Sequence, residues 1–419
     1  VYVALITLWL TPQRFAPRIS EIFQESENVE GTMPSLAGRV TQLAPSATLI
    51  VMKRAQELRA QGKDLVDFGI GEPDFPTPEH IKRAGERAIA ENFTKYTPAG
   101  GIPELKEAVA LRYERDYGAS FDPQSEVIIT CGSKHALYEI AMALFDPGDD
   151  VLVPTPYWVT YPAQIQLTGA RMIPIETREE AGFTLTACEV AAALTPHTKA
   201  IILNFPNNPS GATIAPDELK RIIELARERD FYVIYDECYD QFVYEEPPLS
   251  AAKFGKENVI VTGSCSKTYA MTGWRIGWAC GPAEIIRAME RIQSQSTSNP
   301  TSIAQKAAIA ALTGDQSCVR EMTAEYKRRR DLLVQGLKEI PGVRCGVPKG
   351  TFYAFPNVTG LLNSEIKGCT ELAAFLVERA GVVTVPGAAF GREGYLRLSY
   401  ATSMERIEEG LERLRRLFK

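Results

Sequence analysis

The residues best suited to chemistry stand directly behind apolar runs in the middle of the chain. Asn208 lies in Asn204-Phe205-Pro206-Asn207-Asn208-Pro209-Ser210-Gly211, after the run 200–204, in a loop whose prolines stiffen the backbone and leave an amide side chain held in place. Asp236 follows the run 231–235, with Tyr239 three residues on. A carboxylate at the end of a buried strand is costly unless a cation pairs with it, and a protonated ring nitrogen is such a cation. Ser264-Cys265-Ser266-Lys267 follows 259–263, and Arg275 comes eight residues after Lys267. An ordinary lysine is a poor nucleophile at neutral pH, whereas one beside another cation or in an apolar pocket is not. Cys131-Gly132-Ser133-Lys134-His135 follows 126–130 and opens a helical stretch, which offers backbone N–H groups and a positive dipole end to an anion such as phosphate. Singly, each residue has a plainer reading: Lys267 as a solvated lysine, Ser133-Lys134 as a strand-to-helix turn. They gain weight together, because a sheet gathers strand ends that the sequence keeps apart.

The elements that must position them are legible in the same region. Short β-branched runs alternate with helical periodicity from about residue 126, which predicts a parallel sheet wound with helices, an α/β fold. Seven candidate strands cover 126–130, 150–153, 170–175, 200–204, 231–235, 259–263 and 276–280, with helices such as 134–145 and 216–229 between them. Most are apolar throughout, as expected of strands covered on both faces. The last hundred residues change texture: a long charged helix, short strands at 352–355, 382–385 and 395–399, and a final helix rich in Glu and Arg. The expected organisation is a large domain over 78–314 and a smaller α+β domain built from both termini, 33–77 and 315–419, the former with one helix over 46–61.

Bulk properties set the class of partner. The 419 residues suffice for two domains, and 45% hydrophobic with 23% charged content is that of a soluble globular protein. A net charge of −6 argues against nucleic-acid binding and leaves small molecules as the expected partners. The eight cysteines form no C-x-x-C pair and no zinc-like spacing with the three histidines, so they read as reduced thiols of a cytoplasmic protein without a metal site. The apolar opening VYVALITLWL lacks a basic flank and falls short of the ~20 residues a membrane span needs, so residues 1–32 read as a tail outside the fold and no membrane association is expected.

Four segments, Asn207-Asn208-Pro209-Ser210-Gly211, Asp236-Glu237-Cys238-Tyr239, Ser264-Cys265-Ser266-Lys267 and Gly273-Trp274-Arg275-Ile276-Gly277, occur in an order and spacing that resembles the class I aminotransferases of the fold-type I family, which depend on pyridoxal 5′-phosphate (PLP). The resemblance runs from about residue 35 to the C-terminus and includes Arg397 in Leu396-Arg397-Leu398-Ser399-Tyr400. It implies that Lys267 joins the cofactor as a Schiff base and then acts as the general base at the substrate Cα. Asp236 would keep the pyridine nitrogen protonated, Asn208 and Tyr239 would bond the phenolic oxygen, and Trp158 would stack on the ring. Ser133, Lys134, Ser264 and Arg275 would hold the phosphate, and Tyr96 would reach the phosphate of the other subunit, which requires a homodimer with shared active sites. Arg397 would grip the substrate α-carboxylate in a bidentate fork, and Gly71 would let the backbone approach the substrate.

Within that family the chain resembles the aspartate aminotransferases of the Iβ kind, some of which also accept prephenate. The segments Ala44-Pro45-Ser46-Ala47-Thr48, Gly132-Ser133-Lys134-His135-Ala136-Leu137 and Ser294-Gln295-Ser296-Thr297-Ser298-Asn299-Pro300 carry this likeness. It implies that Lys134, assisted by Thr48, meets the distal carboxylate of aspartate or glutamate. Here Ser133 and His135 flank that lysine, where members of the group usually carry glycine and glutamine. An aromatic or broad-specificity aminotransferase, or a C–S β-lyase, would use the same cofactor site. A PLP-binding regulator would need an added DNA-binding domain, for which 1–32 is too short.

Overall fold

The structure is a computed structural model that describes residues 36–41, 43 and 47–419, the side chains of 47–51 excepted. The tail reading of 1–32 falls outside these residues. Residues up to Gln42 form a unit of their own, of which the short helix Gly38–Thr41 is described; everything below concerns the unit from Leu43 to Lys419.

Twelve strands occur among the described residues: β1 (Val66–Asp67), β2 (Val127–Thr130), β3 (Asp150–Thr155), β4 (Arg171–Glu176), β5 (Thr198–Asn204), β6 (Tyr232–Asp236), β7 (Val259–Ser264), β8 (Gly277–Cys280), β9 (Tyr353–Ala354), β10 (Val382–Val383), β11 (Val385–Pro386) and β12 (Leu396–Ser399). The seven expected strands of the central region form one sheet in the order β2-β8-β7-β6-β5-β3-β4. All its pairings are parallel except those of β8, which runs antiparallel to both β2 and β7.

Strand pleating explains how this sheet is buried on both faces. Val127, Ile129, Leu152, Ile201, Leu203, Val233, Tyr235, Val259 and Val261 join one apolar cluster. Their neighbours Ile128, Val151, Val153, Ala200, Ile202, Ile234 and Ile260 join another. Alternate residues point to opposite faces, so an unbroken apolar run fills two cores at once. The second face is covered by the helix Ser133–Leu144, through Ala136, Leu137 and Ile140, and by the helix Ala283–Ser296, through Ile285, Ile286 and Met289.

A third cluster collects Ala55, Leu58, Val66 and Phe68 with Tyr326, Leu333, Leu372, Leu398, Ile407 and Leu411. The run expected as one strand over 382–385 is two: Val382 and Val383 pair in parallel with Val66 and Asp67, whereas Val385 pairs with Arg397. A strand of two residues such as β1 has no periodicity to read, which is why the sequence did not show it. The expected helix 46–61 spans Ala47–Ala60. Ser399 N–H donates to Phe68 O at 2.7 Å, which lays the segment after β1 beside β12 and brings Gly69 next to Arg397.

Candidate active site

The register of the central sheet puts the chemistry-bearing residues side by side. Asn204 is level with Asp236, Asp236 with Thr262, and Ser264 with Gly277, which is also level with Thr130. Asp236 and Ser264 are therefore the last residues of their strands rather than the first of the loops that follow. Beyond these ends opens a cavity of about 650 Å³. Gly71, Ser133, Lys134, Trp158, Asn208, Asp236, Tyr239, Lys267, Arg275 and Arg397 all line it.

Asp236 forms the floor. It is 3% exposed and receives hydrogen bonds from Tyr161 Oη at 2.7 Å, Cys238 N–H at 3.2 Å and Thr262 Oγ1 at 3.4 Å. Burial pushes its carboxyl up to about 6 despite these three donors. Charge on a buried acid is disfavoured until a cation arrives, and among the described residues no lysine or arginine is one of the groups that act on it. Asn204 Nδ2 donates to Asp236 O at 2.9 Å and its Oδ1 accepts from Asn208 N–H at 2.9 Å, so one side chain joins the floor to the Asn208 loop. Asn207 closes that loop on itself by accepting from Ser210 Oγ at 2.6 Å.

The opposite wall carries Arg397. It is 8% exposed, donates from Nη1 to Asn208 Oδ1 at 3.1 Å and from Nη2 to Gly69 O at 3.0 Å, and lies over the rings of Tyr353 and Phe390 at 4.3 and 5.1 Å. Its Nε has no partner. A buried guanidinium facing carbonyl oxygens and aromatic rings, without a counter-ion, is poised for a carboxylate from outside. Tyr239 Oη and Tyr353 Oη are 2.9 Å apart, and burial pushes the Tyr239 phenol up. Lys267 Nζ donates to Gly71 O, which ties the central lysine to the loop passing over the cavity.

Cations gather at the end nearest β2. Arg275 has a left-handed backbone, φ +52°, and is held by donation to Thr272 O at 2.9 Å and Cys131 O at 3.1 Å. Lys134 Nζ lies 4.9 Å from the centre of the Trp158 ring, and its ammonium is pushed down by burial, then by Arg275 and Lys267. Three cations that repel one another across one cavity mark a place for anions. The helix Ser133–Leu144 opens on Gly132 with no side-chain cap, so its first N–H groups face the same end. Space there is tight: a Cβ on Gly132 would come 2.5 Å from Arg275 Nη2, and one on Gly277 would come 2.6 Å from Ser133 N.

Two expected positions stand outside this lining, and a third is not described. Ser264 lies just behind the wall, where its Oγ accepts from Ser266 N–H at 3.2 Å, and Ser266 takes its place in the lining. Tyr96 is 90% exposed and is absent from the cavity of its own chain. The side chain of Thr48 falls outside the described ones. The residues that sequence reasoning missed are supports: Tyr161 and Asn204 beneath Asp236 and Asn208, Phe390 and Tyr353 under Arg397, and Glu72, which accepts from Thr272 Oγ1 at 2.7 Å. The loop from Gly69 to Asp74 is anchored at its far end by Arg329 Nη1, which donates to both Asp74 oxygens at 2.8 and 2.9 Å. Asn204 ends an apolar run and could have been singled out on that ground. Tyr161 sits inside a helix, Thr160–Thr168, and carries no comparable signal.

A family model described as aminotransferase class I and II matches residues 63–414. The chain is 43% identical over 391 residues to an aspartate aminotransferase of Geobacillus stearothermophilus, covering 92% of this chain and 99% of that one. It is 44% identical over 388 residues to an aspartate/prephenate aminotransferase of Thermus thermophilus, covering 92% and 99%. Among solved structures, the aspartate aminotransferase from Thermus thermophilus with maleate superposes with a TM-score of 0.88 at 44% identity, covering 92% of this chain and all of that one (100%). The aspartate aminotransferase from Rhizobium meliloti does so with the same score, 0.88, at 39% identity, over 92% and 98%.

Proposed function

The chain belongs to the aminotransferase class I and II family, and we propose that it is a PLP-dependent aspartate aminotransferase that moves the amino group of aspartate or glutamate to 2-oxoglutarate or oxaloacetate, with prephenate as a further acceptor. The observation that carries this reading is that Lys267, Asp236, Lys134 and Arg397 line one cavity. The donor set suits the cofactor. Asp236 is a buried acid awaiting a cation, which a pyridinium nitrogen supplies. Ser133, Ser266, Arg275 and the uncapped helix start, with Ser264 behind them, suit a phosphate, and the missing Cβ atoms of Gly132 and Gly277 let Arg275 and the helix start pack close together there.

When bound, PLP supplies a carbonyl carbon that amines attack and a ring that accepts the electron pair left at the substrate Cα. The protein's residues do the rest. Arg397 holds the substrate α-carboxylate in a two-pronged grip and, through Asn208, stands in fixed relation to the sheet ends. Lys134 meets the distal carboxylate, with Thr48 assisting, and so favours dicarboxylic donors. Lys267 Nζ takes the proton from the substrate Cα and later returns it. Asn208 and Tyr239 would bond the phenolic oxygen, Trp158 would lie against the ring, and Gly71 would let the backbone approach the substrate.

The proposal extends to assembly and place. Tyr96, exposed on its own chain, reaches the phosphate end of a partner subunit, so the working form is a homodimer. The body 78–314 holds the cofactor, while 33–77 and 315–419 bring Gly71 and Arg397 to it. Eight unpaired thiols suit a reducing cytoplasm. Among the described residues no helix is long and apolar enough to cross a membrane. A panel of amino donors with 2-oxoglutarate tests the reading: aspartate and glutamate are turned over fastest and only with an acceptor present. Release of pyruvate and ammonia from cysteine conjugates without an acceptor would point to a lyase instead.

A further inference from the structure

The reaction just described gives no part to Glu139 and His135, yet they sit in the first two turns of the helix whose start holds Ser133 and Lys134. Glu139 is fully buried, and neither of its carboxyl oxygens has a hydrogen-bond partner. Facing it at 3.4 Å is His135 Nδ1, itself buried and without another partner. Two such atoms are satisfied together by a single hydrogen between them. Burial alone pushes the Glu139 carboxyl up to about 8, and burial pushes the His135 imidazole down. Near neutral pH the hydrogen therefore stays on the carboxyl and the imidazole keeps a lone pair to receive it.

The line continues into the neighbouring helix, Ala283–Ser296. The Gln293 side chain lies beside the His135 imidazole, and its Oε1 is buried with no hydrogen-bond partner. Gln293 Nε2 donates to Ala99 O at 2.6 Å and to Ile129 O at 2.8 Å. Ala99 is three residues from Tyr96, and Ile129 lies on β2, which leads into Gly132. The other ionisable groups nearby do not intercept the line. Cys131 has a thiol pushed up by burial, Lys134 turns toward Trp158, Arg275 is held on Cys131 O, and Tyr138 stacks on the His135 ring.

We propose that Glu139 is a positioning residue: it holds one proton with His135 and, through Gln293, fixes the start of the Ser133 helix against the loop that carries Tyr96. The inference rests on reading that helix as the phosphate end of a PLP site. The carboxyl O–H donates to Nδ1, and the other imidazole N–H donates to Gln293 Oε1. Ionisation of Glu139 removes the first donor and places a negative charge behind the phosphate end.

Two cofactor-free measurements and one titration test this. In the infrared difference spectrum of wild type against Glu139→Gln at neutral pH, a carboxylic-acid C=O band is lost in the variant. Amide hydrogen exchange over residues 95–101 is faster in Glu139→Leu than in wild type and is slowed again in Glu139→Gln, which keeps a donor. PLP affinity of the wild type falls by about tenfold as pH rises through Glu139 ionisation, and in Glu139→Gln that fall is gone. Absence of the acid band, equal exchange in all three proteins, or the same fall in Glu139→Gln would overturn the inference. Failure of any protein to bind PLP, with the band and the exchange pattern intact, would reject the cofactor reading and leave the positioning line standing.

Discussion

Tyr161 donates its phenolic hydrogen to Asp236 Oδ2 over 2.7 Å, although the two come from a helix and a strand 75 residues apart. This bond is the strongest restraint on the cavity floor, since the other two donors to Asp236 stand at 3.2 and 3.4 Å. Tyr161→Phe removes it and leaves the fold's apolar packing in place. Hydrogen bonds to charged groups contribute about 1.5–3 kcal/mol, so PLP affinity is expected to weaken by roughly tenfold to a hundredfold. Equilibrium titration of cofactor-free protein with PLP measures it.

Asp236 also gives the cofactor-free protein a pH dependence whose sign is fixed. Its carboxyl is raised from 3.8 in the unfolded chain to about 6 in the fold. The folded state thus holds the proton more tightly, and the stability this contributes is present below about pH 4 and lost as pH rises through about 6. Two units correspond to a loss on the order of 3 kcal/mol. Asp236→Asn cannot ionise, so over that window the wild type loses stability relative to the variant by about that amount, the other titrating groups being common to both. Parallel curves for the two proteins would refute this.

Gly132 tests the phosphate end. It has φ +88°, and a Cβ there would stand 2.5 Å from Arg275 Nη2. Gly132→Ala combines backbone strain of about 1–3 kcal/mol with displacement of the arginine. PLP binding is expected to weaken by about tenfold or more, with free phosphate losing its ability to compete.

In the proposed site two cations share the substrate's carboxylates. Arg397→Lys keeps the charge but loses the fork, so KM rises for every amino donor, by about tenfold to a hundredfold. Lys134→Ala is expected to raise KM for aspartate and glutamate while sparing phenylalanine. If Lys134→Ala left aspartate turnover intact while Arg397→Ala abolished it, Lys134 would not be the partner of the distal carboxylate.

Much of this arrangement was legible in the sequence because the informative residues end apolar runs. Seven strands of the central sheet and the α/β class followed from β-branched runs alternating with helical periodicity, and Asn208, Asp236, Lys267 and Arg275 lie where strand ends must converge. What stayed hidden has a physical reason in each case. Tyr161 looks like any aromatic residue on a buried helix face until its hydroxyl is seen beneath Asp236. Ser264 and Ser266 share one side of a strand end, and only the turn of the chain decides that Ser266 faces the cavity. Thr384, buried between β10 and β11, separates two pairings that a run of valines presents as one strand. Glu139 reads as a solvated helical charge until its burial is known.

The central claim is that Lys267 carries PLP and that aspartate passes its amino group through it in two half-reactions. An ultraviolet-visible spectrum of the purified protein tests this most directly. A cofactor band is expected that is lost on adding aspartate and restored on adding 2-oxoglutarate, and after borohydride reduction and dialysis the cofactor stays attached to the wild type and is lost from Lys267→Ala. A colourless wild-type protein that binds no added PLP, or a band that aspartate leaves unchanged, would contradict it.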